Sequence, residues 1–165
     1  MKKLAIRILP LFVLAIFMTA CPYSSTVPLN APSEKVDRTA KLTGKWTEES
    51  EDENPVFYEF KKSDENTYEV VKNEWNSTDE VYGATNYVMH TTSIDGTIFL
   101  NMKDGETYYF YKLEMASDGK SFKLYEVTDN IDETFSVSTQ MYDFFKRYKD
   151  LSFFYNSDEK TYTKE

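Results

Sequence analysis

The chain has 165 residues, 19 basic against 28 acidic, giving a net charge of −9, and 16% of its residues are aromatic. That length suits one domain with one core. The acidic balance argues against nucleic-acid binding, and a single cysteine leaves no disulfide and no Cys-based metal cluster.

In chain order, the first element is MKKLAIRILPLFVLAIFMTAC. Lys2, Lys3 and Arg7 precede an apolar run from Ile8 to Phe17, which is the layout of a secretory signal and too short for a confident membrane span. Its end, Met18-Thr19-Ala20-Cys21, resembles a bacterial lipobox: a bulky apolar residue, two small ones, and the cysteine that is lipidated. The resemblance implies that residues 1–20 are a removed signal peptide and that Cys21 carries acyl chains. A sulfur in a thioether cannot bind metal, attack a substrate or form a disulfide. One acyl chain anchors marginally and several anchor stably, so the membrane is the first expected partner, through Cys21. The expected location is the cell envelope, on the outer membrane of a Gram-negative bacterium. Without residues 1–20 the chain keeps 16 basic and 28 acidic residues, a net of −12.

Residues 21–40 hold three of the five prolines among Ser, Thr and Asn, with no hydrophobic period, and are read as an extended tether. Residues 41–165 are read as the folded domain.

From there the pattern alternates with period two. Val56, Tyr58 and Phe60 share one face while Glu59 and Lys61 take the other. Strands are expected over 42–49, 55–61, 67–75, 86–94, 97–103, 107–115 and 121–128, and splitting the long 80–94 segment gives a further one. Asp95-Gly96, Asp104-Gly105 and Asp118-Gly119 supply hairpin turns, so sequence neighbours become antiparallel neighbours. A mainly β, antiparallel up-and-down meander of seven or eight strands closes into a barrel that holds side chains or one small ligand. Val137, Met141, Phe144, Phe145 and Tyr148 then recur at helical spacing, predicting one C-terminal α-helix over 135–150 with Ser136 or Ser138 as its cap. Residues 151–155 and 161–163 form one more strand or hairpin.

Gly44-Lys45-Trp46 opens the first strand. It resembles the Gly-x-Trp signature of the lipocalin and fatty-acid-binding superfamily, and the chain is similar to small lipocalin-like lipoproteins of Bacteroidetes-type bacteria. The resemblance implies structural roles for Gly44 and Trp46, with the indole plugging one barrel end. Thr128-Asp129-Asn130 matches two residues of that family's Thr-Asp-Tyr turn. The family's late arginine, which stacks on the tryptophan, has only Arg147 as a counterpart in this sequence, inside the expected helix.

Alternation nominates Tyr58, Phe60, Tyr109, Tyr111, Leu113, Phe122 and Leu124 as lining for a small apolar or amphipathic ligand. The alternative is a filled barrel whose acidic outer face binds a basic protein. His90 is the sole histidine and no Gly-x-Ser-x-Gly turn accompanies it, so the chain is expected to be no enzyme. The acidic run 48–54 lacks the spacing and central glycine of a calcium loop and reads as a solvated turn. No cofactor and no metal are expected.

Overall fold

The computed structural model describes residues 21–32, 41–156 and 159–165. The expected signal peptide and the tether stretch 33–40 lie outside the described residues. The strands are β1 (Ser24–Ser25), β2 (Gly44–Glu48), β3 (Phe57–Lys62), β4 (Tyr68–Asn76), β5 (Val81–Ile94), β6 (Thr97–Asp104), β7 (Thr107–Met115), β8 (Ser121–Glu126) and β9 (Lys160–Lys164). Between β8 and β9 run α1 (Ser138–Tyr148) and a single 3-10 turn, Ser152–Phe154.

Strands β2 to β8 form an antiparallel meander, and β9 inserts between β8 and β2 to close an eight-stranded barrel. Phe122 lies opposite Tyr162 on one edge of β9, and Thr47 opposite Thr163 on the other. The sequence expectation of a closed meander with one late helix therefore holds. Three details differ. The segment 80–94 is not split: β5 is continuous over 14 residues, and its first half pairs with the end of β4 as a long hairpin. The eighth barrel strand comes after the helix rather than before it. The helix is shorter than expected, and its N-cap is Val137, with no side-chain cap hydrogen bond from Ser136 or Ser138.

The turn at Asp95-Gly96 shows why the meander folds as written. Both residues have positive φ, 51° and 90°, as a two-residue hairpin turn between right-twisted strands requires.

Two cores result. Inside the barrel, Trp46, Tyr58, Phe60, Tyr68, Val70, Met89, Leu100, Met102, Leu113, Phe122, Leu124 and Tyr162 pack together with Leu42. Outside, α1 lays Met141 and Phe145 on Ile94, Phe99 and Phe110. Strand β6 is thus buried on both faces, with Leu100 and Met102 inward and Phe99 and Asn101 outward.

Trp46 is fully buried near the base of the barrel, where its indole N–H donates to the Leu42 carbonyl at 2.6 Å and its ring lies 4.7 Å from that of Phe122. The cation above it comes from β9 and is not Arg147: Lys164 Nζ sits 5.2 Å from the ring centroid. Arg147 instead lies 5.9 Å from the Tyr148 ring on α1. Gly44 makes room for the lysine. It has φ +126°, and a Cβ at this position would come within 3.0 Å of Lys164 Cε.

The segment read as an extended tether is, over residues 21–32, laid on the barrel. Strand β1 pairs with the start of β7, Ser24 opposite Tyr109, where β8 has already left that edge. Tyr23 and Leu29 are buried in the outer core.

Candidate binding site at the barrel mouth

Tyr58, Phe60, Leu113, Phe122 and Leu124 belong to the core inside the barrel, as alternation from the sequence implies, and partly buried Tyr111 packs against it. Tyr109 shares their face and is half-buried, opposite Met102. Phe60, Leu113, Phe122 and Leu124 pack on one another and on Trp46 in the lower barrel, while the tyrosines gather at the other end.

That end, the mouth, is where β2, β4, β6 and β8 finish and β3, β5, β7 and β9 begin. Tyr58, Tyr87, Tyr109, Tyr111 and Tyr162 approach one another there. The rings of Tyr58 and Tyr162 meet edge to face at 5.3 Å. Burial is the main reason the Tyr58 and Tyr111 hydroxyls are pushed well above their usual pKa, with the neighbouring tyrosines and Glu126 adding to it. Burial likewise raises Tyr162, a hydrogen bond with Tyr58 pulling the other way, and raises Tyr87, helped by Asp104 and Tyr109. The mouth therefore presents neutral hydroxyls, each able to donate and to accept.

Carboxylates and amines extend the same inward faces by the period of two. Glu126 continues Phe122 and Leu124: its Oε1 accepts from the Tyr111 hydroxyl at 3.1 Å, and its Oε2 from Asn156 Nδ2 at 2.7 Å. The other amide atom, Asn156 Oδ1, is buried and has no hydrogen-bond partner among the described residues. Glu48 continues Trp46, and its side chain is only 11% exposed, held by Lys160 at 2.7 Å. Lys72, opposite Tyr58 on β4, pairs with Glu74 at 2.9 Å. The acidic run thus contributes its first member to the mouth, while Glu49 to Glu53 stay exposed in the turn.

Sequence reasoning missed Tyr87, Glu126 and Tyr162. The first two were within reach, because Tyr87 alternates with Met89 and Glu126 with Leu124. Tyr162 needed the position of β9, which periodicity does not carry.

His90 faces away from the lumen, on the outer wall. Its Nε2 donates to the Asn30 carbonyl at 2.9 Å, and the Tyr108 ring stands edge-on at 6.2 Å. The neighbouring Asn101 is fully buried: its Oδ1 accepts from Leu29 N at 2.8 Å and its Nδ2 donates to Thr92 Oγ1 at 2.8 Å. Thr92 in turn donates to Asn30 Oδ1. These side chains fasten the N-terminal segment to β5 and β6. A depression of about 380 Å³ lies on the wall of β4 to β6, lined among others by Glu69, Val71, Asn86, Tyr87, Val88 and Lys103, and so shares Tyr87 with the mouth. Cys21 is exposed and in no disulfide, and Gly44 and Trp46 sit at the base as described.

No protein-family model, no curated protein and no solved structure matches the chain.

Proposed function

We propose that this chain is an envelope lipoprotein, anchored through acylated Cys21, whose lipocalin-like barrel binds a small amphipathic ligand at its mouth without catalysing a reaction. The observation that carries the reading is the meeting of lumen tyrosines around Glu126, with the unpaired carbonyl of Asn156 beside it. Aromatic rings offer apolar area, and the carboxylate and amide oxygens ask for a donor, so the fitting ligand has an apolar body and a hydroxyl or ammonium group. The packed lower barrel favours a ligand held at the mouth over one swallowed whole. The sole histidine is tied to Asn30 on the outer wall, away from the mouth carboxylates, which supports a binding role.

Native mass spectrometry of the chain released from membranes in mild detergent tests this. A co-purifying amphiphile is expected, together with acyl mass at Cys21. Glu126→Gln and Tyr111→Phe should each lose a hydrogen bond to a charged or buried group, worth about 1.5–3 kcal/mol, and with it most of the bound species. A ligand-free chain, or variants that hold the ligand as well as the wild type, would count against a site at the mouth.

A second reading, a protein-interaction module for a basic partner, draws on the filled lower lumen and the net negative charge, with the outer-wall depression as a contact surface. Association that weakens steeply with salt and survives Glu126→Gln would favour it.

A further inference from the structure

Cys21 is exposed, yet its backbone has no slack. Its carbonyl accepts from Asp129 N at 3.0 Å, Pro22 bridges Thr128, and Tyr23 N donates to the Val127 carbonyl at 2.8 Å. The Tyr23 ring is buried against Phe110 and Phe145. Whatever is attached at Cys21 leaves the domain from a fixed point on its surface.

Another stretch of chain joins the same ribbon. Thr128 N donates to the Phe154 carbonyl at 3.2 Å, and Val127 bridges Tyr155. The 3-10 turn is therefore one strand removed from the Cys21 segment. Phe154 is buried in the outer core, but the two apolar residues just before it are not: Phe153 is 64% exposed and Leu151 40%. Backbone bonds from Phe154 N to Leu151 O at 3.1 Å and from Tyr155 N to Ser152 O at 3.3 Å hold the turn in this form.

We infer that Cys21, Leu151 and Phe153 form a membrane-seating surface, on which the domain rests directly on a bilayer rather than hanging from a long tether. The sequence says what covers it, because the apolar run Ile8 to Phe17 ends four residues before this cysteine. Whether that run is kept or acyl chains replace it, apolar matter enters the bilayer from this point, and side chains beside it reach the boundary between headgroups and acyl chains. Exposed Asp129 lies between Cys21 and the 3-10 turn, and exposed Asp150 precedes Leu151, so the fitting bilayer is zwitterionic rather than anionic. The inference rests on the membrane-anchored reading and adds the orientation of the domain.

The test uses the full chain, expressed with its N-terminal segment and reconstituted into phosphatidylcholine vesicles. Nitroxide labels are attached through Phe153→Cys and, as a distant reference, through Ser77→Cys in the turn between β4 and β5. The label at 153 should be several-fold less accessible to a water-soluble relaxation agent than the label at 77. Equal accessibility in vesicle-bound protein overturns the seating surface and leaves the anchor standing. Intact mass reports the anchor separately: an unmodified Cys21 with residues 1–20 retained overturns lipidation, and the labels at 153 and 77 are then compared in a Cys21→Ser background, where they still decide the seating surface because the retained apolar run also holds the chain on the vesicle. Protein that does not join vesicles at all overturns both.

Discussion

The single histidine sets the pH response of the docked N-terminal segment. Burial pushes the His90 pKa below its usual 6.5, opposed by the hydrogen bond to the Asn30 carbonyl. The charged form is thus worse off in the folded chain than in the unfolded one. Stability from this residue is fully present above the unfolded value and is lost as pH falls toward and through the lowered folded value. Between about pH 7 and about pH 5 the urea midpoint of the wild type should fall, and His90→Gln should flatten that fall. Glu114, held below the usual carboxylate range mainly by its hydrogen bond to Lys112, also loses stability on acidification. The difference between wild type and variant isolates the histidine. A variant with an unchanged pH profile would show that His90 does not report on the docking.

At the scale of elements, the hold on residues 21–32 depends on Asn101. Asn101→Ala leaves Leu29 N without its acceptor on a fully buried wall, at a cost of about 1–3 kcal/mol. Hydrogen exchange should then speed up at residues 21–32 while the paired amides of β6 and β7 stay protected; uniform acceleration would mean that the segment and the barrel open together. The strands themselves were legible in the sequence, because Tyr109, Tyr111 and Leu113 alternate with outward residues and Asp-Gly pairs sit at the turns. The docked segment was not. Its composition argues for a tether, and what holds it lies far away in sequence: the edge of β7, the backbone of residues 127–129, the outer core around Tyr23 and Leu29, and the side chains of Asn101, Thr92 and His90. The first half of β5 was obscure for another reason: apart from the partly buried Tyr82 and Tyr87 it is exposed on both faces, so burial leaves no regular period to read. The mouth was half legible for the same physical reason, since alternation names the inward tyrosines of each strand but not the strand that completes the ring.

For the whole molecule, everything turns on that completing strand. After Glu126 the chain spends more than thirty residues outside the barrel, building the outer core, and only then returns as β9. The Thr47 hydroxyl donates to Glu165 Oε1 at 2.6 Å across 118 residues of sequence. Closure brings together the ends of the domain, and such non-local pairing makes folding slow. Without β9 the facing edges of β2 and β8 would lie open as templates for other chains, Tyr162 would leave the mouth, and Lys164 would leave Trp46. A chain ending before Lys160 should lose its near-ultraviolet circular dichroism and cooperative unfolding, and should aggregate. Side-chain variants separate packing from pairing: Tyr162→Phe keeps the ring against Tyr58 and Phe122 and should retain the fold, whereas Tyr162→Ala empties a buried site at about 3–5 kcal/mol. If the truncated chain unfolds as cooperatively as the full one, the seven-stranded meander closes by itself, and β9 is then a cover on a finished barrel and no longer its eighth stave.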